Sequence, residues 1–400
     1  MEKIIGKKAS AISYAKIIEE KARAQIARMC DYDFTVGSKI RIMPDVHAGK
    51  GCTIGTTMTV TDKIVPNIVG VDIGCGMYTL RLDAKDIDFP RFDKAAYFVP
   101  SGRNVWKEKQ EEFDFTKLCC YDSLQNKSRL ENSLGTLGGG NHFIEIDRAS
   151  NGTYYLIIHT GSRNLGKQVA EIYQELAVDL NVGNAPYIEQ RENLIREYKK
   201  AGRQNEIQAG LKELEKNRHQ TVIPEDLCYV YGEYKDKYLH DVKLCQEFAR
   251  RNREHIAKIL TERTGITGSD GFHTVHNYID TDEMILRKGA IAAHKDEKIL
   301  IPINMRDGSI LAVGKGNAEW NCSAPHGAGR IMSRMQAKEQ LSMIDYKKSM
   351  AGIYTTSISR KTLDEAPMAY KSIEDIVDVI YETADIIDIM KPVYNFKAAE

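Results

Sequence analysis

The 400-residue sequence has no excess of charge of either sign, because 56 lysines and arginines balance 56 aspartates and glutamates. A strong overall field that attracts nucleic acid is therefore excluded, and any polyanion site must be a local basic patch. Long apolar runs are also missing, so we expect no membrane helix. The lysines within residues 1–10 are not followed by the apolar core of a secretory signal, so we expect no such signal.

Cysteine is sparse, with eight residues in 400, which excludes a small disulfide scaffold. Cys119 and Cys120 are adjacent, and adjacent cysteines suit an ordinary bridge poorly. We therefore predict a reducing, cytoplasmic compartment. The sequence also lacks the Cys-x-x-Cys pairs that are common in structural zinc sites. Cys75, set between Gly74 and Gly76, is thus free to act as a thiolate.

Hydrophobic residues make up 42% and charged residues 28% of the chain, as in ordinary globular proteins. Residues 1–35 carry an amphipathic helical pattern, and residues 38–162 alternate β-branched runs with glycine turns. A charged helical section follows at about 164–263. Strands return from about 275, and helices follow Gly329. The histidine motifs lie on both sides of the helical section, which predicts one interwoven α+β domain over residues 1–400, with mixed β-sheets surrounded by helices.

Potential metal ligands occur in glycine-rich turns or at the end of a predicted strand. They are Asp72, Cys75, His142, His159 and His276. Carboxylate, thiolate and imidazole groups together indicate one or two divalent ions, and zinc, manganese, iron and cobalt all fit this donor set. Taken singly, each residue also has a structural interpretation, such as an aspartate-capped turn beside a buried cysteine. We prefer His276 to His273 because His273 has no polar or glycine cluster of its own. We expect His47 to position a loop near the site.

The segment Ser323–Arg330 places His326 before the small residues Gly327, Ala328 and Gly329. Glycines allow a backbone to approach a phosphate closely. An imidazole at the mouth of such a loop is suited to nucleophilic attack on a nucleotide α-phosphorus. Arg163 and Arg330 lie inside the same kinds of motif and can bind phosphates through paired hydrogen bonds, so we predict that both contact RNA. The basic run Arg250–Arg253 is either a further RNA contact or a solvated helix face.

A series of motifs from residue 44 almost to the C-terminus resembles, in content and order, the RtcB family of RNA-splicing ligases. The motifs are Pro44–Gly51, Val71–Met77, Leu137–Glu145, His159–Arg163, His276–Tyr278, Arg287–Ala290, Pro325–Arg330 and Asp364–Lys371. The resemblance implies a GTP- and manganese-dependent ligase. Such an enzyme joins an RNA 3′-phosphate or 2′,3′-cyclic phosphate end to a 5′-hydroxyl end, in RNA splicing or repair. Some members of the family use the small activator protein archease.

The resemblance also implies roles for individual residues. Cys75 would bridge two Mn²⁺ ions whose other ligands are Asp72, His142, His159 and His276. His326 would attack GTP to give a covalent histidine–GMP intermediate. Phe143 would stack on the base, Glu145 would bind the guanine edge and Lys397 would contact the guanine. The full set of nucleotide-binding positions is Asn141, His142, Phe143, Ile144, Glu145, His276, Asn277, Pro302, Asn304, Met305, Ser309, His326, Gly327, Ala328, Gly329 and Lys397.

The chain departs from the family pattern at residues 302–308, where the usual Pro-Gly-Ser-Met-Gly is replaced by Pro-Ile-Asn-Met-Arg-Asp-Gly. The change predicts a reshaped nucleotide pocket. Lys397 is followed by Ala398–Glu400 instead of a terminal glycine. One alternative is therefore a metal-dependent phosphodiesterase or nucleotidyltransferase that has lost sealing activity. Another is a non-catalytic RNA-binding protein, although such a protein needs no cysteine, histidine and aspartate cluster. The RNA, which could be a broken tRNA, rRNA or another species, is not indicated by the sequence.

Overall fold

The computed structural model describes residues 1–182, 185–215 and 223–397. The strands, in chain order, are β1 Glu2–Ile5, β2 Ser10–Ser13, β3 Ile40–His47, β4 Ile54–Thr59, β5 Lys63–Ile64, β6 Gly76–Leu82, β7 Phe143–Arg148, β8 Tyr154–Thr160, β9 Val230–Tyr231, β10 Gly268–Val275, β11 Asn277–Asp280, β12 Ile285–Lys288, β13 Ala290–Ala292, β14 Lys298–Asn304, β15 Gly308–Gly314, β16 Ser323–Pro325 and β17 Ala384–Lys397. The helices are α1 Glu20–Met29, α2 Pro66–Val69, α3 Phe89–Phe98, α4 Lys127–Glu131, α5 Arg163–Asn181, α6 Ala185–Lys200, α7 Ile207–Glu215, α8 Gly232–Thr264, α9 Arg334–Gln340, α10 Met343–Ser349 and α11 Ile373–Ile380. The predicted α+β class is confirmed.

Two large sheets organise the molecule. One has six strands in the order β1-β2-β3-β4-β12-β11, and the other has seven in the order β10-β6-β8-β7-β17-β15-β14. Both sheets combine strands from before and after the helical section. The pairings are antiparallel except for β2 with β3. The prediction that histidine motifs from both sides of the helices meet therefore has a structural basis in the strand order.

The long helix α8 packs beneath the seven-stranded sheet because its apolar residues recur at helical spacing. Val242, Cys245, Phe248, Ile256 and Leu260 are all fully buried. Two polar residues, Asn252 and Arg253, are buried on the same helix. Buried polar groups need hydrogen-bond partners, and these two side chains find them in the loops that form the candidate site.

The two ends of the chain differ from the prediction. Residues 2–5 and 10–13 form strands, and the N-terminal helix begins only at Glu20. Ala22, Ile26 and Met29 are buried as the helical pattern predicted, but Ile17 is 81% exposed. Helices follow Gly329 as expected, yet the chain then continues into the 14-residue strand β17. Short apolar runs do not distinguish strand from helix by periodicity alone. β17 is a strand because it pairs with both β7 and β15.

The eight cysteines all carry free thiols, including the adjacent Cys119 and Cys120. Within the described ranges, no helix combines the length and apolarity needed to cross a membrane.

Candidate active site

The five predicted ligands meet at one end of four neighbouring strands. Asp72 and Cys75 lie in the turn between α2 and β6, and His276 joins β10 to β11. His142 directly precedes β7, and His159 lies near the end of β8. Because β6 and β7 both pair with β8, Met77 and Phe143 are register partners of His159. The strand register therefore brings ligands together that are far apart in sequence.

The ligand atoms form two groups that share one thiol. The Cys75 Sγ lies 3.3 Å from His159 Nε2 and 3.5 Å from His142 Nε2. His142 Nε2 is 3.0 Å from a carboxylate oxygen of Asp72, and His159 Nε2 is 3.3 Å from His276 Nε2. One potential metal site is thus Asp72, Cys75 and His142, and the other is Cys75, His159 and His276.

Backbone acceptors orient two of the imidazoles. His142 Nδ1 donates to the carbonyl of Leu137 at 2.9 Å, and His159 Nδ1 donates to the carbonyl of Asn141 at 3.2 Å. A proton on Nδ1 leaves the Nε2 lone pair available for a metal, which is the usual arrangement of histidine ligands. Both Nε2 atoms face Cys75. The tautomers required for metal binding are therefore fixed by the surrounding backbone.

The electrostatics of the cluster also fit cations. Burial raises the pKa of the Cys75 thiol well above its usual value, and the neighbouring Asp72 carboxylate raises it further. Burial lowers the pKa of His159 and of His276, which keeps both imidazoles neutral. Burial alone would raise the pKa of Asp72, but its interactions with His142, Cys75 and Arg163 together outweigh that effect and lower the pKa. Neutral imidazoles beside a carboxylate and a buried thiol form a donor set that bound divalent cations would stabilise.

Two positions beside this cluster are glycines because a larger residue there would overlap the cluster or a side chain next to it. A Cβ at Gly161 would overlap the Asp72 carboxylate, and a Cβ at Gly138 would overlap the Arg163 guanidinium and crowd His142. Gly138 also has φ of +88°, which side chains rarely tolerate. At Gly138, the freed space is filled by two neighbouring side chains.

His326 lies beside the second ligand group, with its ring centroid 5.1 Å from that of His276. Its Nδ1 donates to the Asp45 carboxylate at 2.6 Å, and its backbone N–H donates to the same oxygen at 3.2 Å. Asp45 is completely buried. In the neutral ring, this bond to Asp45 keeps the proton on Nδ1 and leaves the Nε2 lone pair free, which is the form that a nucleophilic imidazole requires. Sequence reasoning missed Asp45 and selected His47, whose ring hydrogen-bonds to the carbonyl of Asp45 at 3.0 Å.

A cavity of about 310 Å³ opens beside His326 and extends to Glu145 and Lys397. Most predicted nucleotide-binding residues line it: Asn141, Phe143, Glu145, His276, Asn277, Pro302, Asn304, Met305, His326, Gly327, Ala328, Gly329 and Lys397. Ile144 and Ser309 do not, and both are fully buried. His142 faces the metal cluster instead. A larger groove of about 570 Å³ lies on the helical section, but no histidine or cysteine is among the described residues that line it.

The inner wall of the cavity contains an ion-pair network. Glu365 accepts hydrogen bonds from Lys397 Nζ and from the Tyr370 hydroxyl, both at 2.6 Å, and Arg330 contacts its other oxygen at 3.3 Å. Burial alone would raise the pKa of Glu365, but the charge and hydrogen bond of Lys397, the hydrogen bond of Tyr370 and the charge of Arg334 together lower it to about 2. The roles of Glu365 and Tyr370 were not predicted, although both lie in a motif that carried the family resemblance.

The divergent segment at residues 302–308 forms the tight turn between β14 and β15. The Asn304 amide oxygen accepts the backbone N–H groups of Arg306 and Asp307, each at 3.0 Å. Asn304 also donates to the Asp307 carboxylate at 2.8 Å. Ile303 is buried, and Met305 packs near Tyr346. This segment therefore carries its own stabilising contacts at the cavity edge. A reshaped nucleotide pocket stays a prediction.

The arginines predicted to contact RNA make internal hydrogen bonds. Arg163 donates to Thr136 and to the carbonyl of Gly102. Arg330 lines the cavity and donates to the carbonyl of Asp364 at 2.5 Å. Arg253 is 1% exposed and donates to the carbonyls of Gly74 and Thr160. Through these two hydrogen bonds, Arg253 holds the backbone beside the potential ligands Cys75 and His159. It does not present its charge to solvent.

Comparison with known proteins agrees with this geometry. A family profile described as tRNA-splicing ligase RtcB matches residues 25–114 and 93–398. The RNA-splicing ligase RtcB of Escherichia coli K12 is 30% identical, with 92% of this chain and 94% of that protein covered. The tRNA-splicing ligase RtcB of Nanoarchaeum equitans is 26% identical, with 89% and 86% covered. The matches extend over the strands that carry the ligand cluster and the segment that carries His326, and on this evidence the chain belongs to the RtcB family.

Proposed function

We propose that this chain is a GTP- and manganese-dependent RNA ligase that joins 3′-phosphate or 2′,3′-cyclic phosphate ends to 5′-hydroxyl ends. The observation that carries the proposal is the position of His326. Its Nδ1 is bound to buried Asp45, and its ring lies against His276 of the two-group cluster. A nucleophile, two potential metal sites and a cavity for a nucleotide thus adjoin one another. The names and coverage of the relatives support RNA as the substrate.

In this proposal, Mn²⁺ would be held by the two potential ligand groups, Asp72, Cys75 and His142 in one and Cys75, His159 and His276 in the other. Such ions neutralise charge on phosphoryl oxygens and lower the pKa of bound water, which opening of a cyclic phosphate requires. The chain's own contribution begins with the tautomers of the imidazoles, which their backbone carbonyl partners fix. Phe143 offers a stacking face for the base, and Glu145 offers an acceptor for the guanine edge.

His326 Nε2 attacks the α-phosphorus of GTP, a nitrogen–phosphorus bond forms, and pyrophosphate leaves. Asp45 holds the Nδ1 proton and stabilises the positive charge that develops on the ring. An oxygen of the RNA 3′-phosphate then attacks the same phosphorus and releases His326. Finally, the RNA 5′-hydroxyl attacks the activated 3′-phosphate, the phosphodiester forms and GMP leaves. Each hard displacement is thereby divided into easier steps.

The test is end joining of two RNA oligonucleotides, one with a 2′,3′-cyclic phosphate and one with a 5′-hydroxyl, in the presence of GTP and Mn²⁺. A joined product that requires His326 supports the ligase. The altered 302–308 turn favours one other outcome, which is opening of the cyclic phosphate without joining. That result would assign the chain to the phosphodiesterases and would reject the proposal. The His326→Ala variant is the control in both cases.

A further inference from the structure

A buried polar network lies at the inner end of the cavity. Glu145 on β7 and Asn395 on β17 both line the cavity, and they are register partners across the two strands. The Asn395 amide donates to a carboxylate oxygen of Glu145 at 2.5 Å. The amide oxygen of Asn395 is buried and has no partner among the residues that the structure describes. The cavity thus ends in a carboxylate acceptor that a neighbouring amide holds in place.

A second carboxyl lies behind the first. Asp147 is two residues beyond Glu145 on β7 and therefore faces the same side of the sheet. It is completely buried, and neither of its oxygens accepts a hydrogen bond from the part of the chain that is described. Its carboxyl lies close enough to that of Glu145 for each group to shift the pKa of the other. Two ionised carboxylates this close together repel each other, whereas a single proton between them makes a hydrogen bond.

The surroundings indicate which carboxyl holds this proton. Burial raises the pKa of both groups, to about 7 for Glu145 and well above the usual value for Asp147. Glu145 is stabilised as an anion by Asn395 and by the charge of Lys397, whose own partner is Glu365.

The charged and titratable groups around Asp147 are fewer. Lys391 of β17 acts on it only through its charge, and Ser309 of β15 lies nearby without a hydrogen bond of normal geometry. Tyr155 of β8 is its register partner. Asp147 therefore has less to stabilise a negative charge than Glu145 has.

We propose that Asp147 carries the shared proton, donates it in a hydrogen bond to Glu145, and so keeps Glu145 an acceptor for a guanine base. Guanine presents N–H donors at N1 and at its exocyclic amine, and an ionised carboxylate accepts both. Adenine has an unprotonated N1 and no amine at C2, so in the same orientation it presents no donor to this acceptor. Asp147 is then a positioning residue for nucleotide selection. The inference rests on the proposed function, because it deepens the preference for GTP.

The test compares Asp147→Asn with Asp147→Leu. The asparagine retains an N–H donor and cannot ionise, whereas the leucine has a similar volume and no donor. Binding of the α,β-methylene analogues of GTP and ATP is measured with Mn²⁺ across neutral pH, so that no covalent step occurs. Glu145→Gln is the control that removes the ionisable acceptor, and thermal unfolding verifies that each variant is folded.

The wild type should prefer the guanine analogue, and its affinity should rise with pH as Glu145 ionises near pH 7. Asp147→Asn should retain this preference and midpoint. Asp147→Leu loses a hydrogen bond that lowers the pKa of Glu145, so its midpoint should move upward. Its affinity for the guanine analogue at neutral pH should fall roughly tenfold, with the adenine analogue unaffected. A leucine variant with wild-type midpoint and preference would overturn the proposal, and so would an asparagine variant that loses both.

A carbon-13 NMR titration of the aspartate and glutamate carboxyl groups separates this inference from the proposed function. A protonated Asp147 at neutral pH in the nucleotide-free protein supports the shared proton, and an ionised Asp147 rejects it. If Asp147 is protonated but the wild type shows no preference for guanine, the link to guanine and the proposed use of GTP both fail.

Discussion

At the scale of single residues, the arrangement around His326 depends on a partner that the sequence does not reveal. Asp45 lies 281 positions away from His326 and is the residue that determines which ring nitrogen is free. The predicted ligands Asp72, Cys75, His142 and His159 were accessible from sequence because each lies in or beside a glycine turn. A long-range hydrogen bond of this kind leaves no comparable local signal. Asp45 was overlooked because the sequence analysis considered only the histidine of its segment, His47, as a candidate site residue.

Replacement of Asp45 by asparagine tests this orientation. The asparagine amide can donate to Nδ1 of His326, which would place the ring proton on Nε2 and block the nucleophile. We expect the rate of guanylylation in a single turnover to fall at least about a hundredfold. Thermal unfolding should show that the variant remains folded. A rate equal to that of the wild type would contradict the orienting role.

The shared thiol makes a second prediction at this scale. Asp72→Ala removes a ligand from one group only and should leave one bound ion with Cys75, His159 and His276. Cys75→Ala removes a ligand from both groups and should leave none. Metal content after equilibration with Mn²⁺ measures the difference. The exposed Cys119 provides the matched control, Cys119→Ala, which should bind as the wild type does. Equal losses in the Asp72 and Cys75 variants would argue against a bridging thiolate.

At the scale of elements, helix α8 anchors the loops that carry the ligands. Asn252 accepts the backbone N–H groups of Gly135 and Thr136, and Arg253 donates to the carbonyls of Gly74 and Thr160. The helix itself was predictable from its charged and apolar pattern. The basic run Arg250–Arg253 was predicted to be either an RNA contact or a solvated helix face. The structure divides it: Arg250 pairs with glutamates at the surface, whereas Arg253 is enclosed.

Arg253→Met should therefore lower the free energy of unfolding substantially, because two buried carbonyls lose their donors. The expected loss is roughly 2–5 kcal/mol. Arg250→Met, which breaks surface ion pairs on the same helix, should cost less than about 1 kcal/mol. Urea unfolding of the two variants gives the comparison. Similar small losses in both would mean that Arg253 does not support the loops.

At the scale of the whole molecule, the C-terminal strand connects the two parts of the seven-stranded sheet. β17 joins the strands β7 and β15, and its last described residue, Lys397, pairs with Glu365. The α+β class and the central helices could be predicted because their patterns are local. The position of β17 could not, since it depends on pairing with strands from distant parts of the chain. The convergence of the ligands depends on that same strand order.

The Glu365–Lys397 pair predicts a pH-dependent contribution to stability. The pKa of Glu365 is about 2 in the folded protein and should be about 4 when unfolded. A lowered folded pKa stabilises the protein above the unfolded value, and the benefit is lost as the pH falls through the folded value. The difference in unfolding free energy between wild type and Glu365→Gln should thus be largest near neutral pH and shrink below about pH 4. Glu339→Gln on α9 is the exposed control, and a pH-independent difference at Glu365 would contradict the pairing.

The most direct test of the central claim is the intact mass of the protein after incubation with GTP and Mn²⁺. The arrangement of His326, Asp45 and the shared-thiol cluster predicts a mass gain equal to one GMP, lost in His326→Ala and retained in the control His240→Ala, which changes an exposed histidine on α8. No mass gain with Mn²⁺ or any other divalent ion, in protein that contains its metals, would contradict the assignment of His326 as the nucleophile.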